Sequence, residues 1–370
     1  MTTPRSRLLA RTDAELNAAL KSGEQLRAHL LRGRLAALLV RQGELEQARE
    51  ALTQLHQAAF SSPNPALAAW INFAEGLLAY YTDFGHHAGD RLARAVSLAH
   101  GCGQREVEAQ AHAFLAQLRL ADNQVEACGQ HLREGFATAA EDDALARARL
   151  NMVAAMVLHQ GDDAEGASPW YARARQHAAA VGDDATLSAL MHNAAQYRVA
   201  TARRAAAQGR PFDLAGLLPG VQSFSNYDQA MGMQALNVLS PLLKAQVLVV
   251  NGEVAEALSL FEQHLPKALA QGLARMGSSL LAETAWCRLR LGQRDAALAQ
   301  ARESELELDP SCDLDDQANT HSRLAQVFAG LDLPQDAARH QALANGRWTE
   351  FRALQAQWRA MMAESGLQPA

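Results

Sequence analysis

The chain has 370 residues, 49% of them hydrophobic but only 5% aromatic, and a net charge of −6. Its Lys and Arg residues are scattered, which removes the counterion-release contribution that nucleic-acid binding depends on, so no nucleic-acid partner is expected. The start, MTTPRSRLLARTDAEL, lacks the apolar core of a signal peptide, and the most apolar stretch, residues 235–250, contains Lys244 and is too short to cross a bilayer.

No membrane partner is therefore expected. Cys102, Cys128, Cys287 and Cys312 lie far apart with no CxxC pair, as reduced and mostly buried thiols of a cytoplasmic protein would. Ala and Leu dominate the apolar content, and few stretches alternate with period two, so helices are expected nearly everywhere. The first helix is expected to start at Thr12, with its hydroxyl as cap and Glu15 completing a capping box. From Leu26 onward a pattern recurs: a small residue, a turn residue seven positions later, and another small residue five positions after that.

The turn residues are Gly43, Asp83, Asn123, Gly161, roughly Gly209, Gly252, Gly292 and Asp332. Their spacings are 40, 40, 38, then 91 for two units, then 40 and 40. The small residues before them are Ala36, Gly76, Ala116, Ala154, Ala202, Ala245, Ala285 and Ala325. Those after them are Ala48, Ala88, Cys128, Gly166, Ala257, Ala297 and Ala337, with Leu214 the one large exception. Two helices joined by a turn cross closely only where neither carries bulk, and Gly adopts the C-terminal cap conformation cheaply. A hairpin of this kind cannot bury its own apolar face, so the hairpins must stack. The expectation is an all-α solenoid of antiparallel helix pairs, about eight units long, with a capping helix over residues 1–25.

The fifth unit is the weak one. Its first helix is expected over about 183–208, and the following GRPFDLAGLLPGVQSFSNYD carries Pro211, Pro219 and Gly220, which argue against a regular second helix. Residues 209–229 are thus expected to be an irregular insertion, either a spacer or a working surface. A last second-helix is expected over 333–344, broken by Asn345-Gly346, which closes the solenoid at about residue 345. In the final segment, 346–370, Trp348, Phe351, Leu354, Trp358 and Met361 mark one face of a helix. That face either covers the last repeat or docks a partner, a second copy making a homodimer included.

Small residues seven before and five after a turn Gly resemble the tetratricopeptide repeat, most closely in NGEVAEALSLFEQHL and LGQRDAALAQA, with the resemblance covering Leu26 to Leu343. The unit of about 40 residues is longer than that family's usual one and is similar to the sensor arrays of maltose-regulator-type bacterial activators and to arrays preceding cyclase domains. The resemblance implies a right-handed superhelix and a protein- or peptide-binding scaffold or adaptor in bacterial signalling. A metabolite sensor, or a sensor region working with a separate cyclase or transcription effector, is the alternative.

Nothing points to catalysis, a cofactor or a metal. HExxH, GxSxG and a P-loop are absent, His86-His87 reads as a polar turn, and His100 with Cys102 makes only two potential ligands. Glu108 and His112 share a helix face as a solvated pair would. In tetratricopeptide arrays the first helix of each pair lines the concave surface. Carried onto this chain, that register selects Trp70, Phe73, Tyr80, Gln110, Gln117, Asn151, Gln196, Arg203, Gln246, Ser279, Trp286, Asn319, Ser322 and Gln326, with Arg323 beside them. The lining is rich in amides that can pair with an extended backbone, and its aromatics either supply docking points or pack in the core.

Overall fold

Several turns inside the hairpins carry a residue that accepts a left-handed backbone just where the first helix stops. In the computed structural model, which describes residues 6–82, 87–232, 239–270, 274–310 and 312–370, φ is 89° at Gly43, 84° at Gly252 and 76° at Gly292. Asn123 and Asp332 adopt the same conformation, with φ of 56° and 63°. Asp83 and His86 lie outside the described residues.

Among the described residues there are seventeen α-helices and no strand. A single helix, α1 (Arg7–Ser22), precedes four hairpins: α2 (Gln25–Gln42) with α3 (Leu45–Ser61), α4 (Pro65–Thr82) with α5 (Ala88–Cys102), α6 (Arg105–Ala121) with α7 (Val125–Thr138), and α8 (Ala144–Gln160) with α9 (Ala164–Val181). Then come α10 (Asp184–Ala207) and α11 (Leu217–Met231), followed by α12 (Leu239–Asn251) with α13 (Val254–Ala270) and α14 (Ala274–Arg290) with α15 (Arg294–Leu306). The series ends with α16 (Leu314–Gly330) and α17 (Pro334–Glu364). First helices also pack on the first helices of neighbouring pairs: α2 on α4, α4 on α6, α6 on α8, α12 on α14 and α14 on α16. This neighbour-to-neighbour stacking is that of an all-α helical-repeat protein. None of the helices is long and apolar enough to cross a membrane among the described residues.

The chain forms two compact units: Met1–Leu190 with Asn226–Ala235 and Gln355–Ala370, and Met191–Ser225 with Leu236–Leu354. In each, the hairpins cross on the small residues. Ala36, Ala48, Ala116 and Cys128 in the first unit and Ala245, Ala257, Ala285 and Ala297 in the second are all fully buried. A Cβ on Gly76 would come within 2.9 Å of Leu92, so α4 and α5 meet where only glycine fits. The four cysteines are free thiols, and three of them, Cys128, Cys287 and Cys312, are buried.

Four local expectations need correction. The fourth turn is set by Asp162 (φ 63°) rather than Gly161, whose φ is −72°. Counting from Asp162 places Ala155 and Ala167, both fully buried, at the crossing positions, whereas Gly166 is only partly covered. α1 starts at Arg7 with the Ser6 Oγ accepting from the Leu9 N–H at 3.2 Å, and Thr12 lies inside it, its hydroxyl donating to the Leu8 carbonyl at 3.0 Å. Burial of Leu8 and Leu9 draws the helix upstream. Pro219 and Gly220 sit in the first turn of α11, where a missing N–H costs no intrahelical bond, so the irregular stretch shortens to about 208–216. Finally, α17 runs unbroken through Asn345-Gly346. Trp348, Phe351, Leu354, Trp358 and Met361 are all buried by the chain's own packing.

One buried ion pair ties the first hairpin to the start of α10 within the first unit. Arg41 Nη2 donates to Asp183 Oδ1 at 2.9 Å and Oδ2 at 2.7 Å, and to the Thr186 hydroxyl at 2.6 Å. Asp183 also caps α10 by accepting from the Thr186 N–H at 3.2 Å. Burial works against both charges, yet their mutual attraction outweighs it, holding the Asp183 carboxyl below and the Arg41 guanidinium above their ordinary pKa ranges. Removing one partner strands the other charge, so Asp183→Ala is expected to lose about 3–5 kcal/mol of unfolding free energy in urea titration. Ala116→Leu, at a crossing, is expected to cost about 1–3 kcal/mol by overpacking. Leu214→Ala, at the matching but half-exposed position of the fifth unit, should stay within about 0.5 kcal/mol.

Candidate functional site

Three successive first helices of the first unit meet in one polar and aromatic network. Gln117 Nε2 of α6 donates to the Tyr80 hydroxyl of α4 at 2.6 Å. Arg149 of α8 donates to Gln117 Oε1 at 3.0 Å and to the Tyr81 hydroxyl at 3.4 Å, and its guanidinium lies 4.1 Å from the centre of the Phe114 ring. Phe73, Phe114 and Tyr80 pack edge to face beneath it. Burial, then the neighbouring Tyr81, pushes the Tyr80 hydroxyl pKa up, so it stays protonated. Tyr80 and Gln117, two of the positions the register selects, are thus bonded to each other. Arg149, the third member, was missed: it stands thirteen before Asp162, a lining position that counting from Gly161 skips.

Trp70 is buried, with its Cβ 2.6 Å from where a Cβ on Gly33 would stand, so it fills the close approach of α2 and α4. Asn151 is fully buried and holds an extended segment that follows α17. Its Nδ2 donates to the main-chain oxygen of Ala370 at 2.6 Å, and its Oδ1 accepts from the Ala370 N–H at 3.3 Å. A second Nδ2 bond, to the Arg147 carbonyl at 2.8 Å, fixes the amide's orientation. His177 of α9 lies 3.0 Å from the same Ala370 oxygen. One side-chain amide thus pairs with both the donor and the acceptor of one residue, as a neighbouring strand would. Leu367 and Pro369 are half-buried while Gln368 and Ala370 are exposed, the alternation of an extended chain lying on a surface.

The second unit gathers charges instead. Arg203 donates to Glu283 Oε1 and to the Ser279 hydroxyl, both at 2.8 Å, and lies 4.0 Å from Asp316. Burial alone would lower its pKa, but Glu283 and Asp316 outweigh that and raise it. Burial, then Asp315, pushes the Asp316 carboxyl up. Arg323 and Arg290 stack on Trp286 at 5.1 and 5.4 Å, and Arg323 also donates to Gln326. Asn319 and Gln246 are buried, Ser322 accepts from the Trp348 indole at 3.0 Å, and Gln196 is exposed. Gln246 Nε2 and Glu283 Oε2 are buried without a hydrogen-bond partner among the described residues.

Two His–His pairs lie within hairpins. His112 with His131, and His321 with His340, stand eleven before and eight after the turn residues Asn123 and Asp332. Their Nδ1 atoms are 3.1 and 3.0 Å apart. Only the repetition of His at matching positions of two hairpins signals them in the sequence. No family model matches this chain, and a comparison with curated proteins gives no significant match.

His131, His192 and His321 are each pushed down to about 4 from 6.5, burial being the leading cause. The unfolded chain takes up these protons near 6.5, whereas the folded chain resists them until about 4. Their contribution to stability is therefore complete above 6.5 and is lost as pH falls towards 4. His192, edge-on to Phe224 and with Nδ1 unpartnered among the described residues, isolates the effect. Between about pH 7 and about pH 5, melting temperature should fall more steeply for the unaltered chain than for His192→Leu.

Proposed function

We infer that this chain is a non-enzymatic helical-repeat scaffold that binds an extended segment of polypeptide. The observation that carries the reading is the Asn151 amide, which pairs with both main-chain groups of Ala370. A site that grips backbone rather than a particular side chain suits a peptide ligand, with the segment after α17 occupying it in cis. The Tyr80–Gln117–Arg149 network ties three consecutive first helices together, a fixed surface that suits a partner running across several repeats. The finer architecture we propose is a right-handed, tetratricopeptide-like superhelix of about eight units, supported by the turn register and by first helices stacked on first helices. A cytoplasmic adaptor, working in bacterial signalling with an effector on another chain, fits that architecture.

A metabolite-sensing reading has one observation of its own: the buried Arg203–Glu283–Asp316 cluster, where Glu283 Oε2 lacks a partner among the described residues. A small polar ligand could supply the missing donor.

The test uses the chain ended after Glu364 and the synthetic hexapeptide SGLQPA, the sequence of residues 365–370. Calorimetry should show one-to-one binding to the shortened chain, weaker binding to the full chain because its own segment competes, and loss of binding in the shortened chain carrying Asn151→Ala. Equal affinity for the shortened chain with and without Asn151→Ala, or no binding to either, would contradict the reading.

A further inference from the structure

We propose that His112, His131 and Glu134 form a divalent transition-metal site on the α6–α7 hairpin, best suited to zinc. The three ligand atoms are His112 Nδ1, His131 Nδ1 and Glu134 Oε2. The two nitrogens are 3.1 Å apart, and the carboxylate oxygen lies 3.4 Å from the first and 3.7 Å from the second. Metal–ligand bonds of about 2.0–2.1 Å in tetrahedral geometry put neighbouring ligand atoms about 3.3–3.4 Å apart. The three observed separations bracket that edge length, so one ion fits between the three atoms with little side-chain movement. Only this group of His, Cys, Asp and Glu side chains meets metal-holding geometry among the described residues.

The surroundings favour the same use. Glu134 directs Oε2 at both imidazoles while its Oε1 accepts from Gln130 Nε2 at 2.9 Å, the outer-shell hydrogen bond that holds a metal carboxylate in place. Glu108, buried one helical turn before His112 and 2.9 Å from His100 Nδ1, adds negative charge close by. His112 is nearly covered and Glu134 is 43% exposed, so three protein ligands leave a fourth position on the solvent side for water or an external donor.

The second pair supplies an internal contrast. His321 and His340 repeat the Nδ1 approach, but Glu305 sits 2.9 Å from His340 Nε2, on the far side of the ring. There the carboxylate accepts the Nε2–H, leaving His340 Nδ1 to accept from His321, and the pair is satisfied as a hydrogen bond. Arg302 and Arg339 also claim Glu305, at 2.7 and 2.5 Å. The first hairpin has a third ligand where the second has a tautomer lock.

Zinc chloride titrated into the metal-stripped full chain should bind at one equivalent in calorimetry. Cobalt(II) at the same site should give the intense visible absorption of a tetrahedral nitrogen–oxygen environment. Glu134→Gln, half-exposed and so not needed for folding, should weaken zinc binding about tenfold or more, and His131→Ala should abolish the cobalt spectrum. His340→Ala should leave both readouts unchanged. The absence of saturable uptake by the unaltered chain overturns the proposal. So does binding that survives both Glu134→Gln and His131→Ala, or binding that His340→Ala removes.

Discussion

Everything in this molecule depends on how closely two helices can pass. A crossing without bulk brings backbone near backbone, and the side chains around it interdigitate instead of holding the helices apart. Ala36, Ala116, Ala245 and Ala285 have no exposed surface because a second helix lies directly against them. Once the crossing and the left-handed turn residue are fixed, the positions that face the partner helix, the next hairpin or the open surface follow by counting. The same counting explains why two hairpins 209 residues apart place a pair of histidines in matching contact.

The polar groups are distributed on this frame according to what each can pair with. Arg41 and Asp183 are covered from water and survive there because the carboxylate meets both the guanidinium and the first turn of α10. Arg149 is covered as well but spends its donors on neutral oxygens of Gln117 and Tyr81, above an aromatic face. Asn151 uses its amide differently, holding the main chain of a segment from outside the hairpins. A neutral amide with one donor already committed to Arg147 loses little on being buried and offers a fixed pair of complementary groups. That makes it a suitable partner for the paired main-chain N–H and oxygen of Ala370.

The helical class, the hairpin register and the buried small residues were legible because each rests on local chemistry repeated many times. The errors came where one residue had to decide. Gly161-Asp162 offers two candidates for the left-handed position, and the choice of Asp162 follows from packing Ala155 and Ala167 at the crossing, which no local preference reveals. Asn345-Gly346 is a weak helix pair, yet the buried Ala344 and Trp348 on either side carry α17 through it. In the site itself, Tyr80 and Gln117 are among the positions the register selects, while Arg149 was hidden by the one-residue slip. Asn151 was selected as a groove residue only by counting from Gly161, and its partner, a segment 219 residues away, is not deducible from spacing. His131 and Glu134 were missed because the third ligand, His112, comes from another helix.

The most direct measurement is a photocross-link from the segment that Asn151 holds. A benzophenone side chain placed at the exposed position 368 of the full chain, activated by light and mapped by mass spectrometry, reports where that segment rests. Adducts confined to peptides from α8 and α9, around Asn151 and His177, and lost when Asn151→Ala is introduced, are the result expected of a backbone-gripping scaffold. Adducts scattered over unrelated helices, or an α8–α9 adduct that persists unchanged in Asn151→Ala, would contradict it.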